Sequence, residues 1–166
     1  MISTELEERD GVRLRVLWLD RASKRNALTP GMLVELVRQT ELAAASGDAV
    51  LIAGKGNVFC SGFDLAMCQS SPDGVVMRLL LTGRSDLCRT LRTHNRPVVI
   101  AAHGAAIAGG CALLGGADVV VADRAAVLGY PVVKLGVSPA VSMPFFCQSV
   151  TDGIARTKSL VPQTFT

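Results

Sequence analysis

The sequence predicts a single α/β domain in which buried strands alternate with helices. Two segments carry this prediction, because AVLIAGKG (49–56) and PVVIAAHG (97–104) are each a strand rich in β-branched residues that closes on glycine. Each leads into a loop of small residues and then into a helical pattern, which is typical of α/β folds. The length of 166 residues favours one domain with one core. Two occurrences do not establish a repeat architecture.

The first part of the chain contains two predicted strands and one helix. Apolar residues recur at every second position over 12–18, with Arg13, Arg15 and Leu17 between them, which predicts a strand. After a polar loop, Thr29 and Pro30 predict a helix start, because Thr accepts the free amide hydrogen bonds and Pro is tolerated at the first helical position. We expect this helix to end at Gly47, and a short buried strand to follow at 49–53.

The second part of the chain alternates in the same way. The pattern predicts helices at 75–91, 109–114, 139–150 and 152–161, and strands at 97–102 and 119–122. The run from Pro97 to Val121 is apolar enough to resemble a membrane span, but it contains His103, Asp118 and five glycines. We therefore interpret it as strand, turn, buried helix and strand, and we expect no membrane partner.

Composition narrows the classes of function. Net charge is +3 and Lys and Arg are scattered without a long basic run, which disfavours nucleic-acid binding. The five cysteines show no C-x-x-C spacing and the two histidines show no zinc pattern, so no metal site is predicted. The odd number of cysteines and the absence of a signal peptide favour a reducing cytosol.

The segment GKGNVFCSGFDL (54–65) is the first candidate for chemistry. Its small residues Cys60, Ser61 and Gly62 let a ligand approach the backbone closely, and a backbone amide there can face a developing oxyanion. The alternative is a tight loop that is anchored by Phe59 and has no chemical role.

The segment HGAAIAGGCALL (103–114) is the second candidate. Gly109 and Gly110 begin a short helix, so its unpaired amides and the positive end of its dipole lie together at the N-terminus. Such a helix end binds anions or stabilises an oxyanion. The alternative is that the glycines only let the helix pack closely on a strand.

Four motifs, taken in order, resemble the enoyl-CoA hydratase (crotonase) superfamily. They are Asn26-Ala27-Leu28, GKGNVFCSGFDL, GAAIAGGCALL and LGYPVVKLG, and their order and spacing agree with the family pattern over most of residues 12–140. The resemblance implies an α/β fold built as a spiral of repeated ββα units. It also implies an acyl-CoA or acyl carrier thioester as the substrate with no other cofactor, and a homo-trimer or hexamer.

The resemblance assigns site residues by motif position. Two backbone amides, those of Ser61 and Gly109, would hold the thioester oxygen. The acyl pocket would be shaped by Cys60, Gly62, Phe63, Asp64, Leu65 and Tyr130. Contacts with the CoA nucleotide would come from Lys24, Arg25 and Ala27, although charged loop residues of this kind are often only solvated.

Two residues depart from the family pattern. Ala112 and Val132 stand where the family has glutamates, and hydration needs one group that activates water and another that delivers a proton. We therefore expect ordinary hydration and isomerisation to be lost, while stabilisation of a thioester enolate remains. The alternative is a catalytically inactive binding or scaffolding protein, and RNA binding ranks last.

Some side chains have two interpretations. Asp64 is an acid or, as we favour, the cap of the following helix. Tyr130 is a hydrogen-bond donor to a ligand or a core residue. We interpret Cys60 and Cys111 as small hydrophobic residues, and His103 as a structural histidine.

The last predicted helices carry apolar residues that we expect to be partly exposed. These are Val141, Met143, Phe145, Phe146, Ile154 and Leu160. The family normally continues with a C-terminal helical region, whereas this chain stops at Thr166. Because exposed apolar patches tend to mark interfaces, we expect a homo-oligomer or pairing with a missing C-terminal piece.

Overall fold

Strands and helices alternate along the chain, as the sequence predicts for an α/β fold. The computed structural model describes residues 1–148, 150–161 and 163–165, with side chains except at 135, 141, 146, 159 and 165. The strands are β1 (Ile2–Arg9), β2 (Val12–Leu19), β3 (Ala49–Gly54), β4 (Val98–Ala102), β5 (Ala105–Ile107), β6 (Val119–Ala122), β7 (Val127–Gly129) and β8 (Thr164–Phe165). The strands β1, β5, β7 and β8 were not predicted from the sequence.

The strands form two sheets. The larger sheet has the order β1-β2-β3-β4-β6, in which β1 runs antiparallel to β2 and the other pairs are parallel. The smaller sheet has the order β5-β7-β8. Each parallel pair needs a crossover connection, and the helices supply it.

Helices lie between several of the strands along the chain. They are α1 (Pro30–Ser46), α2 (Leu65–Gln69), α3 (Val75–Arg92), α4 (Gly109–Leu113), α5 (Met143–Phe146) and α6 (Asp152–Leu160). Short 3-10 turns lie at Ala22–Lys24, Leu114–Gly116, Pro131–Leu135 and Pro139–Val141. The ends predicted for α1 are confirmed, because the Thr29 side chain accepts a hydrogen bond from the Met32 amide and Gly47 adopts a left-handed conformation with φ 71°.

The core lies between the larger sheet and the pair formed by α1 and α3. Leu17, Ile52 and Ile100 are neighbours in register and form an apolar row across three parallel strands. Leu33 of α1 and Leu87 of α3 belong to the same buried cluster. Each such side chain contributes about 1.5–3 kcal/mol through burial, so this layer fixes where the loops at the strand ends lie.

The apolar run from 97 to 121 folds as the sequence analysis interpreted it. It contains β4, β5, α4 and the start of β6. Within the residues that the structure describes, no helix is long and apolar enough to cross a membrane.

The helix predicted at 139–150 is wrong as one continuous element. The chain forms a 3-10 turn at Pro139–Val141 and then the short α5. Pro144 near the start of α5 has no N–H to donate, so a helix cannot run unbroken through it. Position 149 lies outside the described residues. The helix predicted at 152–161 is confirmed as α6.

The exposure expected of the last apolar residues is confirmed only in part. Ile154 and Leu160 are 49% and 62% exposed. Phe145 is buried instead, because it packs against Gly115 at the end of the α4 segment. The side chains of Val141 and Phe146 lie outside the described residues.

Candidate functional site

The two glycine-rich segments of the sequence lie side by side. Cys60 and Ala106 form a parallel bridge. In it the Cys60 amide donates to the Ala105 carbonyl and the Ile107 amide donates to the Cys60 carbonyl, both at 3.0 Å. This bridge holds the loop before α2 against β5, which leads into α4.

Gly62 allows the closest approach between these segments. Its φ of +101° lies in the region that side chains rarely adopt, and a Cβ atom there would lie 3.0 Å from the Ile107 carbonyl and 3.4 Å from the Gly109 nitrogen. The backbone at Gly62 is therefore packed directly against the amide of Gly109.

A cavity of about 250 Å³ opens beside this junction. Ser61, Phe63 and Leu65 line it from the first segment, and Gly109 lines it from the second. Helix α3 and the turn at Pro131–Leu135 close the other sides. Among the lining residues that the structure describes, Lys134 is the only one with a charged side chain. The cavity is thus mainly apolar, with backbone amides at one end.

The Ser61 amide is not available to a ligand. The family resemblance implies an oxyanion donor at Ser61, but the N–H of Ser61 donates to the Arg25 carbonyl at 3.0 Å. The reason is tertiary, because the loop that contains Arg25 lies along the 60–64 segment. The prediction for the Ser61 amide therefore needs correction, although the Ser61 residue does line the cavity.

The Phe63 amide is free where the Ser61 amide is not. The Gly62 carbonyl accepts from the Leu28 amide and the Asp64 amide donates to the Leu28 carbonyl, so both neighbours of Phe63 face Leu28. Consecutive amides of an extended segment point to opposite sides, so the Phe63 N–H is directed away from Leu28. It has no hydrogen-bond acceptor in the described part of the chain.

The Gly109 amide likewise has no hydrogen-bond acceptor in the described part of the chain. Gly109 opens α4, and the first amides of a helix have no partner within it. No acceptor for its N–H lies among residues 1–148, 150–161 and 163–165. The backbone enters the helix at Ala108 with a φ of +49°, which L residues seldom adopt. Two free amides, at Phe63 and Gly109, thus border one cavity.

Ala112 and Val132 occupy different surroundings. Val132 lines the cavity and is 7% exposed. Ala112 does not line the described part of the cavity wall, and its carbonyl accepts a hydrogen bond from the Cys88 thiol at 3.7 Å. Neither side chain can exchange a proton.

Asp64 caps α2, as the sequence analysis favours. Its carboxylate accepts from the Met67 amide at 3.2 Å, and it pairs with Arg21 at 2.7 Å. Burial raises the pKa of Asp64, but the Arg21 guanidinium and the capping amides outweigh burial and lower it overall. A carboxylate held in this way is ionised at neutral pH and is a poor proton donor.

The two cysteines of the segments are not nucleophiles at neutral pH. Burial raises the pKa of Cys60 to about 12 and that of Cys111 to about 11. The Cys60 thiol lies 3.3 Å from the Asn26 carbonyl, to which it donates. Both thiols therefore stay protonated, which supports their interpretation as small buried residues.

Two further polar side chains, those of Tyr130 and His103, form hydrogen bonds within the protein. Tyr130 lines the cavity, and its hydroxyl is hydrogen-bonded to that of Ser142. His103 donates from Nε2 to the Gly56 carbonyl at 2.8 Å. Tyr130 is thus placed to meet a ligand, whereas His103 is tied to the turn after β3.

The residues expected to contact a nucleotide lie on the neighbouring loop. Lys24 and Arg25 are exposed, and Arg25 adopts a left-handed conformation with φ 49°. Ala27 is half-buried, and its carbonyl accepts from Arg21 at 3.2 Å. The backbone of this loop touches the cavity wall through the bond between Ser61 and Arg25.

The contribution of α3 to the cavity wall was not predicted from the sequence. Met77 and Leu81 line the cavity, and Arg84 is 1% exposed. Leu79 of the same helix is exposed instead. The sequence contained a signal for this helix face. Residues at helical spacing form an apolar row that contains one arginine: Met77, Leu81, Arg84, Cys88 and Leu91.

No metal site is evident in the part of the chain that the structure describes. No three residues among its His, Cys, Asp and Glu side chains are grouped so that they can hold a metal ion.

Known proteins resemble this chain over most of its length. The family described as enoyl-CoA hydratase/isomerase matches residues 10–165. The chain is 34% identical over 129 residues to 2,3-dehydroadipyl-CoA hydratase of Escherichia coli K12, covering 76% of this chain and 49% of that protein. It is 31% identical over 157 residues to mitochondrial enoyl-CoA hydratase domain-containing protein 3 of Danio rerio, covering 93% and 50%.

Solved structures show the same fold. An enoyl-CoA hydratase of Mycobacterium smegmatis superposes with a TM-score of 0.89 at 25% identity, covering 99% of this chain and 63% of that one. Human enoyl coenzyme A hydratase domain-containing protein 3 superposes with a TM-score of 0.85 at 26% identity, covering 98% and 64%. The fold prediction is therefore confirmed, and the chain spans about half the length of the curated relatives it matches.

Proposed function

Because the chain belongs to the enoyl-CoA hydratase/isomerase family, we propose that it binds the thioester of an acyl-CoA, or of an acyl carrier, and stabilises its enolate. The observation that carries this proposal is the pair of free amides, at Phe63 and Gly109, beside one apolar cavity. The acyl chain suits the apolar walls, and the thioester oxygen suits the amides.

The two amides act on the thioester oxygen in the proposed mechanism. When the α-carbon loses a proton or a carboxylate, negative charge develops on that oxygen. Donors already held in place in a site sheltered from water stabilise this charge more than they stabilise the neutral carbonyl. Phe63 takes the place that the sequence analysis gave to Ser61.

The missing acids limit which reactions the site supports. Ala112 and Val132 supply no proton, Asp64 is an ionised cap, and the buried thiols stay protonated. Decarboxylation needs no side chain that removes a proton, because loss of carbon dioxide leaves the electron pair on the α-carbon and forms the enolate directly. Water then supplies the proton. Enoyl hydration is disfavoured.

The loop at 24–27 is proposed to meet the nucleotide end of coenzyme A. Lys24 and Arg25 are exposed cations beside the cavity wall, and phosphates attract such cations. The contribution of exposed charges is small, so we expect these residues to tune affinity.

A binding protein without catalysis is the second candidate. The observation that favours it is the absence of an acid at 112 and 132, together with the intact fold around the cavity. In this case the same thioesters bind but none is converted.

Two measurements test the proposal. Calorimetric titration compares butyryl-CoA with the thioether S-butyl-CoA, which lacks the carbonyl oxygen. We expect the thioester to bind roughly tenfold more tightly, as one or two hydrogen bonds would require. A panel of acyl-CoA thioesters assayed for decarboxylation, hydrolysis and hydration then separates the enzyme from the inactive binder.

Replacing one backbone amide by an ester identifies the donor. Phenyllactic acid at position 63 keeps the ring but removes the N–H, and we expect it to abolish the preference for the thioester. The matched control is the α-hydroxy analogue of serine at position 61. It removes the hydrogen bond to Arg25, and we expect the preference to survive. If the ester at position 61 abolishes the preference and the ester at position 63 does not, the oxyanion donor is the Ser61 amide.

We also propose a homo-oligomer, with a trimer or hexamer as the expected assembly. Val120 of β6 and Ile154 of α6 line one groove and are both substantially exposed. A groove of apolar side chains on the surface favours association.

A further inference from the structure

A chain of hydrogen bonds runs from the Arg21 guanidinium to the free amide of Phe63. Arg21 Nη1 donates to the Ala27 carbonyl at 3.2 Å, and the Leu28 amide donates to the Gly62 carbonyl at 2.7 Å. The Ala27 carbonyl and the Leu28 N–H belong to one peptide group, as do the Gly62 carbonyl and the Phe63 N–H. Both groups are trans, so the carbonyl and the N–H of each point in opposite directions. The position of the guanidinium therefore bears on where the Phe63 N–H points.

The same nitrogen of Arg21 also contacts Asp64. Nη1 lies 2.7 Å from a carboxylate oxygen of Asp64, and a guanidinium nitrogen of this kind carries two N–H groups, so it can donate to Ala27 and Asp64 together. Asp64 follows Phe63 directly, and its amide donates to the Leu28 carbonyl at 2.9 Å. Arg21 thus joins the two segments beside the bridge between Leu28 and Phe63.

Arg21 is held in place at both ends. Its side chain is 25% exposed and that of Asp64 is 11% exposed, so water and salt screen this pair less than the exposed pair of Arg38 and Glu35 on α1. The Arg21 amide donates at 2.9 Å to the side-chain oxygen of Asn26, which is fully buried. The guanidinium therefore has a fixed origin and a fixed partner.

The peptide group between Gly62 and Phe63 needs this support because it follows a glycine. Gly62 has a φ of +101°, and glycine restricts backbone rotation less than other residues do. The Gly62 carbonyl accepts from the Leu28 amide at 2.7 Å, whereas the Cys60 thiol is 4.0 Å away. A shift of Leu28 would let the peptide group turn and carry the Phe63 N–H away from the cavity.

We propose that Arg21 is a positioning residue, which holds the Phe63 N–H in the direction that meets the thioester oxygen. This inference rests on the proposed function, in which the Phe63 amide is one of the two donors. Arg21 does not line the described part of the cavity wall, so it acts through the two peptide groups. Hydrogen bonds in a chain also strengthen one another, so a charged donor at the start improves the donor at the end.

The preference for a thioester over a thioether measures this role. Calorimetric titration with butyryl-CoA and S-butyl-CoA is repeated on Arg21→Met, which has a similar volume and no donor. We expect the roughly tenfold preference to fall to about twofold or less, while the affinity for S-butyl-CoA stays within about twofold of its original value. A residue that only stabilises the fold or the loop at 24–27 would lower both affinities by one factor and leave their ratio unchanged.

Two conservative variants and a control complete the experiment. Arg21→Lys keeps the charge without the planar fork and should retain part of the preference. Asp64→Asn keeps the cap of α2, because Asn caps as well as Asp, but it loses the ion pair and should also reduce the preference. The control is Arg38→Met, which removes the exposed pair with Glu35 and should change neither affinity.

The outcomes separate this inference from the proposed function. If the unaltered chain prefers butyryl-CoA and Arg21→Met keeps that preference, the role of Arg21 is overturned and the two amides stand. An equal loss of both affinities in Arg21→Met also overturns it. If the unaltered chain shows no preference, both proposals fail. If Arg21→Met does not fold, a reduced preference in Arg21→Lys and Asp64→Asn supports the role, and an unchanged one overturns it.

Discussion

A Cβ atom on Gly110 would lie 2.5 Å from the carbonyl oxygen of Cys60. That carbonyl accepts from the Ile107 amide in the bridge between the two glycine-rich segments, so it cannot move without breaking the bridge. We predict that Gly110→Ala lowers the free energy of unfolding by about 2–3 kcal/mol and weakens butyryl-CoA binding at the same time. Urea unfolding and calorimetric titration measure the two effects.

The control for this substitution is Gly31→Ala on α1. Gly31 has no atom within 4 Å of its Cβ position, and it lies in a helix. Alanine there should stabilise the chain by roughly 0.5–1 kcal/mol and leave binding unchanged. Equal behaviour of the two variants would mean that Gly110 does not constrain the site.

Enoyl hydration should be absent or very weak. Each missing acid or base typically lowers a rate by roughly 10²- to 10⁴-fold. Crotonyl-CoA incubated with the purified chain should therefore keep the ultraviolet absorbance of its conjugated double bond. Robust turnover would show that another group transfers the protons of hydration. Asp64 and Tyr130 are the first candidates.

Restoring the acids is the matching gain-of-function test. Val132→Glu places a carboxyl group in the cavity wall, and we expect the double variant with Ala112→Glu to gain measurable hydration. The control is Val132→Gln, which has a similar size and no titratable proton. Because position 132 is buried, the new carboxyl group should also lower the melting temperature.

The stability of the chain should fall in alkaline solution because of its buried thiols. The folded-state pKa values of Cys60 and Cys111, about 12 and about 11, lie above those of the unfolded chain. The stabilising contribution is therefore fully present below the unfolded-state pKa, roughly 8.5, and is lost as the pH rises toward the folded values. At pH 11 each thiol accounts for a loss on the order of 3 kcal/mol.

Cysteine variants isolate this effect from other titrations. Cys60→Ala should flatten the fall in unfolding free energy between pH 9 and pH 11, measured by urea unfolding at each pH. Cys147→Ala, which changes an exposed cysteine, should leave the slope unchanged. An identical slope in all three chains would contradict the assignment of buried, protonated thiols.

The purified chain should be an oligomer at micromolar concentration. The apolar groove that contains Val120 and Ile154 is the surface we expect to associate. Ile154→Lys should shift the mass from light scattering toward the monomer, because burying an unpaired ammonium is unfavourable. Val34→Lys on the exposed face of α1 is the control and should not change the mass. A monomeric unaltered chain would contradict the prediction.

The sequence alone determined the elements that depend on local signals. Alternation over 12–18 located β2, and Thr29 and Gly47 located the two ends of α1, because periodicity and capping act within a few residues. The strand β1 was missed because Ile2 and Leu6 are its only strongly apolar residues, so its alternation is too sparse to mark a half-buried strand. The four linked motifs gave the fold and the general place of the cavity.

Only the tertiary structure decided which groups in that place are free. The Ser61 amide donates to the Arg25 carbonyl, whereas the Phe63 amide has no acceptor among the described residues. This difference depends on how a distant loop lies along the segment. The same holds for Arg84, since helical spacing gives its face but not its burial. Hydrogen bonding and desolvation are set by neighbours that are remote in sequence, so the chemistry of the site emerges only once the chain has folded.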